Sequence, residues 1–196
     1  MNANYDKLME QCISKAGAGK KLLLHCCCAP CSSACLERLK NSFRICVLFY
    51  NPNIESEEYE RRKSELIRFI QETGWAEFID CDHDERQFYN AVKGLENCKE
   101  GGERCEKCFE LRLKKTCETA KELNFDYFTT TLTISPLKDA DKINRIGEEI
   151  GGEMWLPSDF KKKNGYLESI KLSKEYNLYR QDYCGCIFSR RDGSKG

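Results

Sequence analysis

Lys21-Leu22-Leu23-Leu24-His25-Cys26-Cys27-Cys28-Ala29-Pro30-Cys31 is the stretch that decides the fold. Its leucines form an apolar run too short for a helix and without the polar alternation of a half-exposed strand. That is the pattern of a strand buried on both faces of a parallel sheet. A helix is expected over Ser32 to Asn41, and Phe43-Arg44-Ile45-Cys46-Val47-Leu48-Phe49-Tyr50 repeats the strand signal. Asn51-Pro52-Asn53 stops that strand, and Ser56-Glu57-Glu58-Tyr59 opens a charged helix that runs to Thr73 before Gly74. Ala76 to Asp80 reads as a third strand, Glu85 to Val92 as a helix, residues 94 to 102 as a glycine-punctuated loop, and Arg104 to Leu123 as a long helix. Phe125 to Leu132 reads as a fourth strand and Pro136 to Asp139 as a helix start. Glu153 to Leu156 reads as a fifth strand, and Tyr166 to Tyr179 as the last helix before a cysteine-rich C-terminal segment.

Strands alternating with helices of this length imply right-handed βαβ units, hence a Rossmann-like α/β fold with a parallel sheet and helices on both faces. A chain of 196 residues with no repeat and no low-complexity linker fits a single domain over 1–196. In such sheets ligands bind beyond the carboxyl ends of the strands, where the strand order reverses. The cysteines after the first strand and the threonines Thr129, Thr130 and Thr131 ending the fourth are expected to face each other there.

Composition narrows the class. Hydrophobic residues make up 40% and charged residues 33%, which excludes a disordered chain, and no apolar run is long enough to span a bilayer. No signal peptide or anchor is read from the opening residues, so a cytoplasmic location without membrane contact is expected. In that compartment thiols stay reduced, and the 14 cysteines point to metal binding or redox chemistry without disulfides. The 32 basic and 32 acidic residues cancel, so any contact with nucleic acid must be local.

Three groups carry the cysteine signal: Cys27, Cys28 and Cys31 after the first strand, Cys105 and Cys108 at a helix start, and Cys184 and Cys186 near the end. Loop and helix-start positions expose sulfur and favour thiolate. Soft thiolates select zinc, copper(I) or iron–sulfur clusters. A structural zinc site needs four ligands, whereas seven candidates stand here, enough for an iron–sulfur cluster with a second metal beside it. Cys12, Cys35, Cys46, Cys81 and Cys117 fall within helix and strand patterns and read as small buried side chains, while Cys26 and Cys98 fit neither group.

Taken in order, LLLHCCCAPCS (22–32), FYNPNI (49–54) with EYERR (58–62), GGERCEKCFELRL (101–113), FTTTLTISPLKD (128–139) and YRQDYCGCIFSR (179–190) resemble the QueH epoxyqueuosine reductases. The resemblance implies a 4Fe-4S cluster with an adjacent iron or zinc ion, and reduction of the epoxide of epoxyqueuosine to queuosine at the wobble position of tRNA. It also implies a fold similar to the adenine nucleotide alpha-hydrolase group. Thiolating enzymes of that group place a glycine-rich phosphate loop after the first strand, and the glycine-free HCCCAPC here cannot supply such a cradle. Some members of the resembled family carry Asp in place of Cys31, which associates Cys31 with the second metal.

On that resemblance, Cys105, Cys108 and one of Cys27 or Cys28 are expected to hold the cluster, with Cys31, Cys184 and Cys186 at the adjacent metal. Electrons would come from an external donor such as ferredoxin or flavodoxin, because no flavin or nicotinamide motif is evident. His25, Asp182 and Tyr183 adjoin the cysteines and are candidate proton donors, His25 having the alternative of a hydrogen-bonded core residue. For the tRNA, Thr129, Thr130 and Thr131 are candidates to bind the nucleoside. Tyr50 or Tyr59 would stack on its base, and Arg61, Arg62, Lys63, Lys161 to Lys163, Arg190 and Arg191 would grip phosphates.

Overall fold

The computed structural model describes residues 3–189. In chain order these form α1 (Tyr5–Ala16), β1 (Lys21–His25), α2 (Ala29–Leu39), β2 (Arg44–Leu48), α3 (Ser56–Thr73), β3 (Glu77–Ile79) and α4 (Glu85–Ala91). They continue with α5 (Glu103–Glu122), β4 (Tyr127–Thr130), α6 (Ala140–Gly151) and α7 (Gly165–Glu175). The strands make a parallel sheet in the order β3-β2-β1-β4, with Leu23 of β1 opposite Cys46 of β2 and Phe128 of β4. This is a Rossmann-like α/β architecture.

The leucine run of β1 serves both faces because successive side chains alternate across a strand. Leu22 and Leu24 join Ile45 and Val47 against α1, α2, α3 and α7, packing on Met9, Leu36, Phe69 and Leu172. Leu23 joins Leu48 and Phe128 on the opposite face, against Leu113 of α5 and Ile143 of α6. Each fully buried leucine contributes about 2 kcal/mol of apolar transfer, so a central strand of this composition holds both layers together. On the second face α6 lies flush against Trp155: a Cβ at Gly147 would come within 2.3 Å of the indole.

Strand order reverses beside β1, since β2 and β3 extend one way and β4 returns on the other side. The crevice above β1 and β4 therefore receives the loop after His25 and the turn after Thr130. Helix α2 starts earlier than its sequence pattern suggests, at Ala29, because Pro30 is tolerated in the first turn and the Cys28 thiol accepts from the Cys31 N–H at 3.4 Å in place of the usual hydroxyl cap. The cysteine cluster thus sits on a helix N-terminus.

Two expectations change. The fifth strand over Glu153 to Leu156 is absent. That segment is a 3-10 turn, Gly152–Met154, followed by a single parallel bridge between Trp155 and Phe128, because Gly152 turns at φ +52° and Pro157 has no N–H to extend a ladder. The helix expected from Pro136 instead begins at Ala140, where the Asp139 carboxylate accepts from the Asp141 and Lys142 N–H groups. Arg190 and Arg191 lie outside the described residues. No helix among the described residues is long and apolar enough to cross a membrane.

Candidate functional site

The turn from β1 into α2 brings the sulfurs of Cys27, Cys28 and Cys31 within 4.8 Å of one another. Cys27 and Cys28 Sγ are 3.9 Å apart, and the Thr131 hydroxyl lies 4.0 Å from Cys27 Sγ. A tetrahedral ion with bonds of about 2.3 Å needs thiolates about 3.8 Å apart, so this trio has the spacing of a mononuclear ligand set. Hydrogen bonds from Cys28 and Cys31 hold the Cys27 thiol well below the ordinary range against the effect of burial, and the Lys138 and Arg112 charges add to this. Burial pushes Cys28 up to about 12, and Cys31 is raised chiefly by its bond to Cys27.

The other sulfurs gather beside them. Cys105 and Cys108 lie in the first turns of α5, and Cys184 and Cys186 come from the C-terminal segment. All four line a small cavity of about 30 Å³ together with Arg104 and Arg112. They do not form a group as tight as the trio. A larger cavity of about 180 Å³ is lined by Cys27, Cys31 and Cys184 and shares Cys184 and Lys138 with the smaller one. The three chain segments therefore meet at one end of the sheet, with the tightest sulfur group on the N-terminal part of the chain rather than on its tail. All 14 cysteines are free thiols, and Cys26 is a fully buried core residue.

The tail is held by Arg62. This side chain, 1% exposed, pairs with Glu58 at 2.6 Å and donates to the Cys184 and Tyr183 carbonyls at 3.1 and 3.4 Å. Between the two cysteines Gly185 turns at φ +96°, and a Cβ there would meet Ile54 at 2.8 Å and the Arg62 guanidinium at 3.0 Å. Gly185→Ala combines backbone strain of about 1–3 kcal/mol with that clash. The variant is expected to retain roughly tenfold less metal than the wild type at equal chelator, measured by iron or zinc content, while its circular dichroism stays native.

Several candidates have other roles than expected. His25 is fully buried, its Nδ1 2.8 Å from the Thr130 hydroxyl and its Nε2 3.0 Å from the Tyr50 carbonyl. The carbonyl can only accept, so Nε2 carries the proton and Nδ1 accepts from Thr130. Burial, with the Arg112 charge, lowers its pKa to about 4. His25 is therefore a neutral tie between β1, the end of β2 and β4, and is not placed to hand a proton to a ligand. Thr129 bonds Ser158, so of the threonines only Thr131 touches a candidate ligand.

Tyr50 is 3% exposed and its phenol donates to Gln87, while Tyr59 is buried against His83 and donates to the Phe49 carbonyl. Neither ring offers a face to a base, because each closes the core under the second strand's end. Arg62 is likewise buried and is not a phosphate grip. Arg61 remains exposed, with its guanidinium 3.5 Å over the Tyr179 ring, and Lys63 pairs with Asp80. Lys161 and Lys163 are engaged with Asp159 and Glu10. Asp182 and Tyr183 do line the larger cavity, with Tyr166 and Arg180 at its margin.

Sequence reasoning passed over two cations. Lys138 lines both cavities and Arg112 lines the smaller one. Burial acts to lower the Lys138 ammonium, but the Cys184, Cys27 and Cys31 sulfurs raise it above the ordinary lysine value. The helical spacing of Cys105, Cys108 and Arg112, three and then four residues apart, was the available signal, because it puts all three on one helix face.

The model of the family described as epoxyqueuosine reductase QueH matches residues 22–192. The epoxyqueuosine reductase QueH of Streptococcus pyogenes serotype M1 is 42% identical over 96% of this chain and 78% of its own length. Its counterpart in Staphylococcus epidermidis is 41% identical over 95% of this chain and 84% of its own. That of Thermotoga maritima is 35% identical over 86% and 89%. The match runs through every cysteine segment of the site, and the chain belongs to the epoxyqueuosine reductase QueH family.

Proposed function

We propose that this protein reduces the epoxide of epoxyqueuosine to queuosine at the wobble position of tRNA, the last step of queuosine formation. The observation that carries the reading is the meeting of seven thiols at the switch point of the sheet, in a chain whose relatives are named for that reaction. Cys105, Cys108, Cys184 and Cys186 fit the four-cysteine set of a 4Fe-4S cluster, and Cys27, Cys28 and Cys31 fit an adjacent iron or zinc ion. This division by cavity differs from the assignment implied by the resemblance, and Cys184, which lines both cavities, is where the two readings meet.

Opening the epoxide to an alkene consumes two electrons and two protons and releases the oxygen as water. When bound, the cluster supplies the electrons, delivered by an external carrier such as ferredoxin or flavodoxin, and the adjacent ion supplies a Lewis acid for the departing oxygen. The protein's own share is positional. Lys138 presents an ammonium to the wall formed by Cys27, Cys31 and Cys184, where it stabilises negative charge on oxygen. Asp182 and Tyr183, on the rim of the same cavity, are the side chains placed to relay protons from solvent. Exposed Arg180 lines the same cavity, and exposed Arg61 stacks on the neighbouring Tyr179; both suit contact with tRNA phosphates.

The test is nucleoside analysis of tRNA from a strain lacking its own epoxyqueuosine reductases and carrying this gene, with anaerobic iron and sulfide analysis of the purified protein. Queuosine restored and about four iron and four sulfide per cluster are expected. Epoxyqueuosine that persists beside well-expressed, iron-loaded protein counts against the reading.

A further inference from the structure

Arg112 stands out among the charged groups of the molecule. It is 1% exposed, and among the described residues its hydrogen bond runs from Nε to the Cys108 carbonyl at 3.1 Å. Among the described residues it makes no ion pair with a carboxylate, nor does Lys138 across the same small cavity. A guanidinium never gives up its proton in a protein, so this charge is permanent. A buried charge left unbalanced is costly, and removal from water is tolerated where a counter-charge lies close. Glu100 and Asp139 also line this cavity without pairing with Arg112, and the groups that act on its charge are sulfurs: Cys105, Cys108 and Cys184 share the cavity wall with the guanidinium, together with Cys186.

The helix geometry makes this arrangement specific. Cys105, Cys108 and Arg112 occupy one face of α5, and the Nε bond to the Cys108 carbonyl ties the guanidinium to the backbone of a candidate ligand. Arg104 and Lys138 line the same cavity as further cations, and among the described residues its carboxylates, Glu100 and Asp139, form no ion pair with Arg112. With the sulfurs ligated as thiolates, the guanidinium gains a negative counterpart.

We infer that Arg112 is a positioning residue for the redox centre, its fixed positive charge selectively stabilising the more negative, reduced form and so raising the reduction potential. The inference rests on the iron–sulfur reading given above. Reduction adds one electron to a centre walled by thiolates, and a cation held at the wall favours the product over the reactant, because net charge and hydrogen bonding at the sulfurs set cluster potentials. Lys138, only half-buried, should share in this less because water screens it.

The experiment is a redox titration of the anaerobically purified, iron-loaded protein followed by electron paramagnetic resonance, comparing wild type with Arg112→Gln and Arg112→Lys. Arg112→Gln retains a donor for the Cys108 carbonyl and removes the charge, whereas Arg112→Lys retains the charge. The midpoint of Arg112→Gln is expected to fall by about 59 mV or more, a tenfold loss of the reduced form relative to the oxidised one for a one-electron couple. Arg112→Lys is expected to stay near the wild-type value. An unmoved midpoint in Arg112→Gln, or a lysine variant displaced as far as the glutamine variant, overturns the inference and leaves the iron–sulfur reading intact. Wild-type protein that binds no iron overturns both. Should Arg112→Gln lose its iron during purification, the rate of iron release to a chelator decides: Arg112→Lys matching the wild type supports the inference, and Arg112→Lys releasing as fast as the glutamine variant overturns it.

Discussion

Cys27→Ser protein is expected to fold, to bind its second metal more than about 100-fold more weakly than the wild type, and to lose turnover to a comparable degree. Cys27 is the member of the trio whose thiol is held well below the ordinary range, through hydrogen bonds from Cys28 and Cys31 and the charges of Lys138 and Arg112. A serine hydroxyl remains protonated at neutral pH and is a hard, weak donor, so the substitution removes the charge around which the site is arranged. Its volume is nearly that of cysteine, and the surrounding core of Leu23, Leu48 and Leu132 loses little contact. Cys35→Ser provides the control. That thiol is buried one turn further along α2, bonded to the Cys31 carbonyl at 3.2 Å, and belongs to neither cavity. Metal content by mass spectrometry and conversion of epoxyqueuosine-containing tRNA are the two measurements. Equal metal affinity in Cys27→Ser and wild type would remove the trio from the site.

Acid sensitivity centred on His25 is the second large effect. The folded protein holds its pKa at about 4 through burial, whereas an exposed histidine titrates near 6.5. Between those values the unfolded chain binds a proton that the folded one refuses, so stability rises with pH through this window. The contribution is complete above pH 6.5 and is lost progressively as pH falls towards 4, the loss there reaching about 3 kcal/mol. Urea unfolding of the metal-free protein from pH 7 to pH 4.5 reads this slope. His25→Gln, which keeps an N–H for the Tyr50 carbonyl, should be less stable at pH 7 and distinctly flatter in pH dependence. If both proteins lose stability in parallel, the buried imidazole is not the acid-labile element. The effect bears on the site because His25 joins β1 to Thr130 of β4 directly before the turn that carries Cys27, Cys28 and Cys31, so protonation there would separate the strands that frame the crevice.

The division between the two cavities also explains the charge pattern of the chain. Globally neutral, it concentrates cations where sulfur is concentrated: Arg104 and Arg112 along α5, Lys138 at the junction of the cavities, and Arg62 behind the tail. Arg104 has a mechanical task, donating to the Glu96 and Cys98 carbonyls and thereby holding the glycine-punctuated loop over the small cavity. The backbone oxygens of that loop would otherwise lack partners in a region with little regular structure. Cys98 accordingly participates through its carbonyl.

The amino-acid sequence by itself determined the parallel sheet, its four strands to within two residues at each end, and the end of the sheet at which the cysteines gather. An uninterrupted leucine run has one stable placement, between two helical layers, and a strand so buried must discharge its polar neighbours at its carboxyl end. The cysteines that gather at this end of the sheet were legible too, because loop and helix-start positions separate them from those on apolar periodicities. The tertiary structure alone decided which sulfurs share a cavity, since Cys184 and Cys186 approach Cys105 and Cys108 across more than seventy residues of intervening chain. It also decided the fate of the polar candidates. Arg62, Tyr50 and His25 carry the same side chains whether they reach solvent or a buried carbonyl. That choice rests on the desolvation of neighbours distant in sequence, which no local pattern encodes.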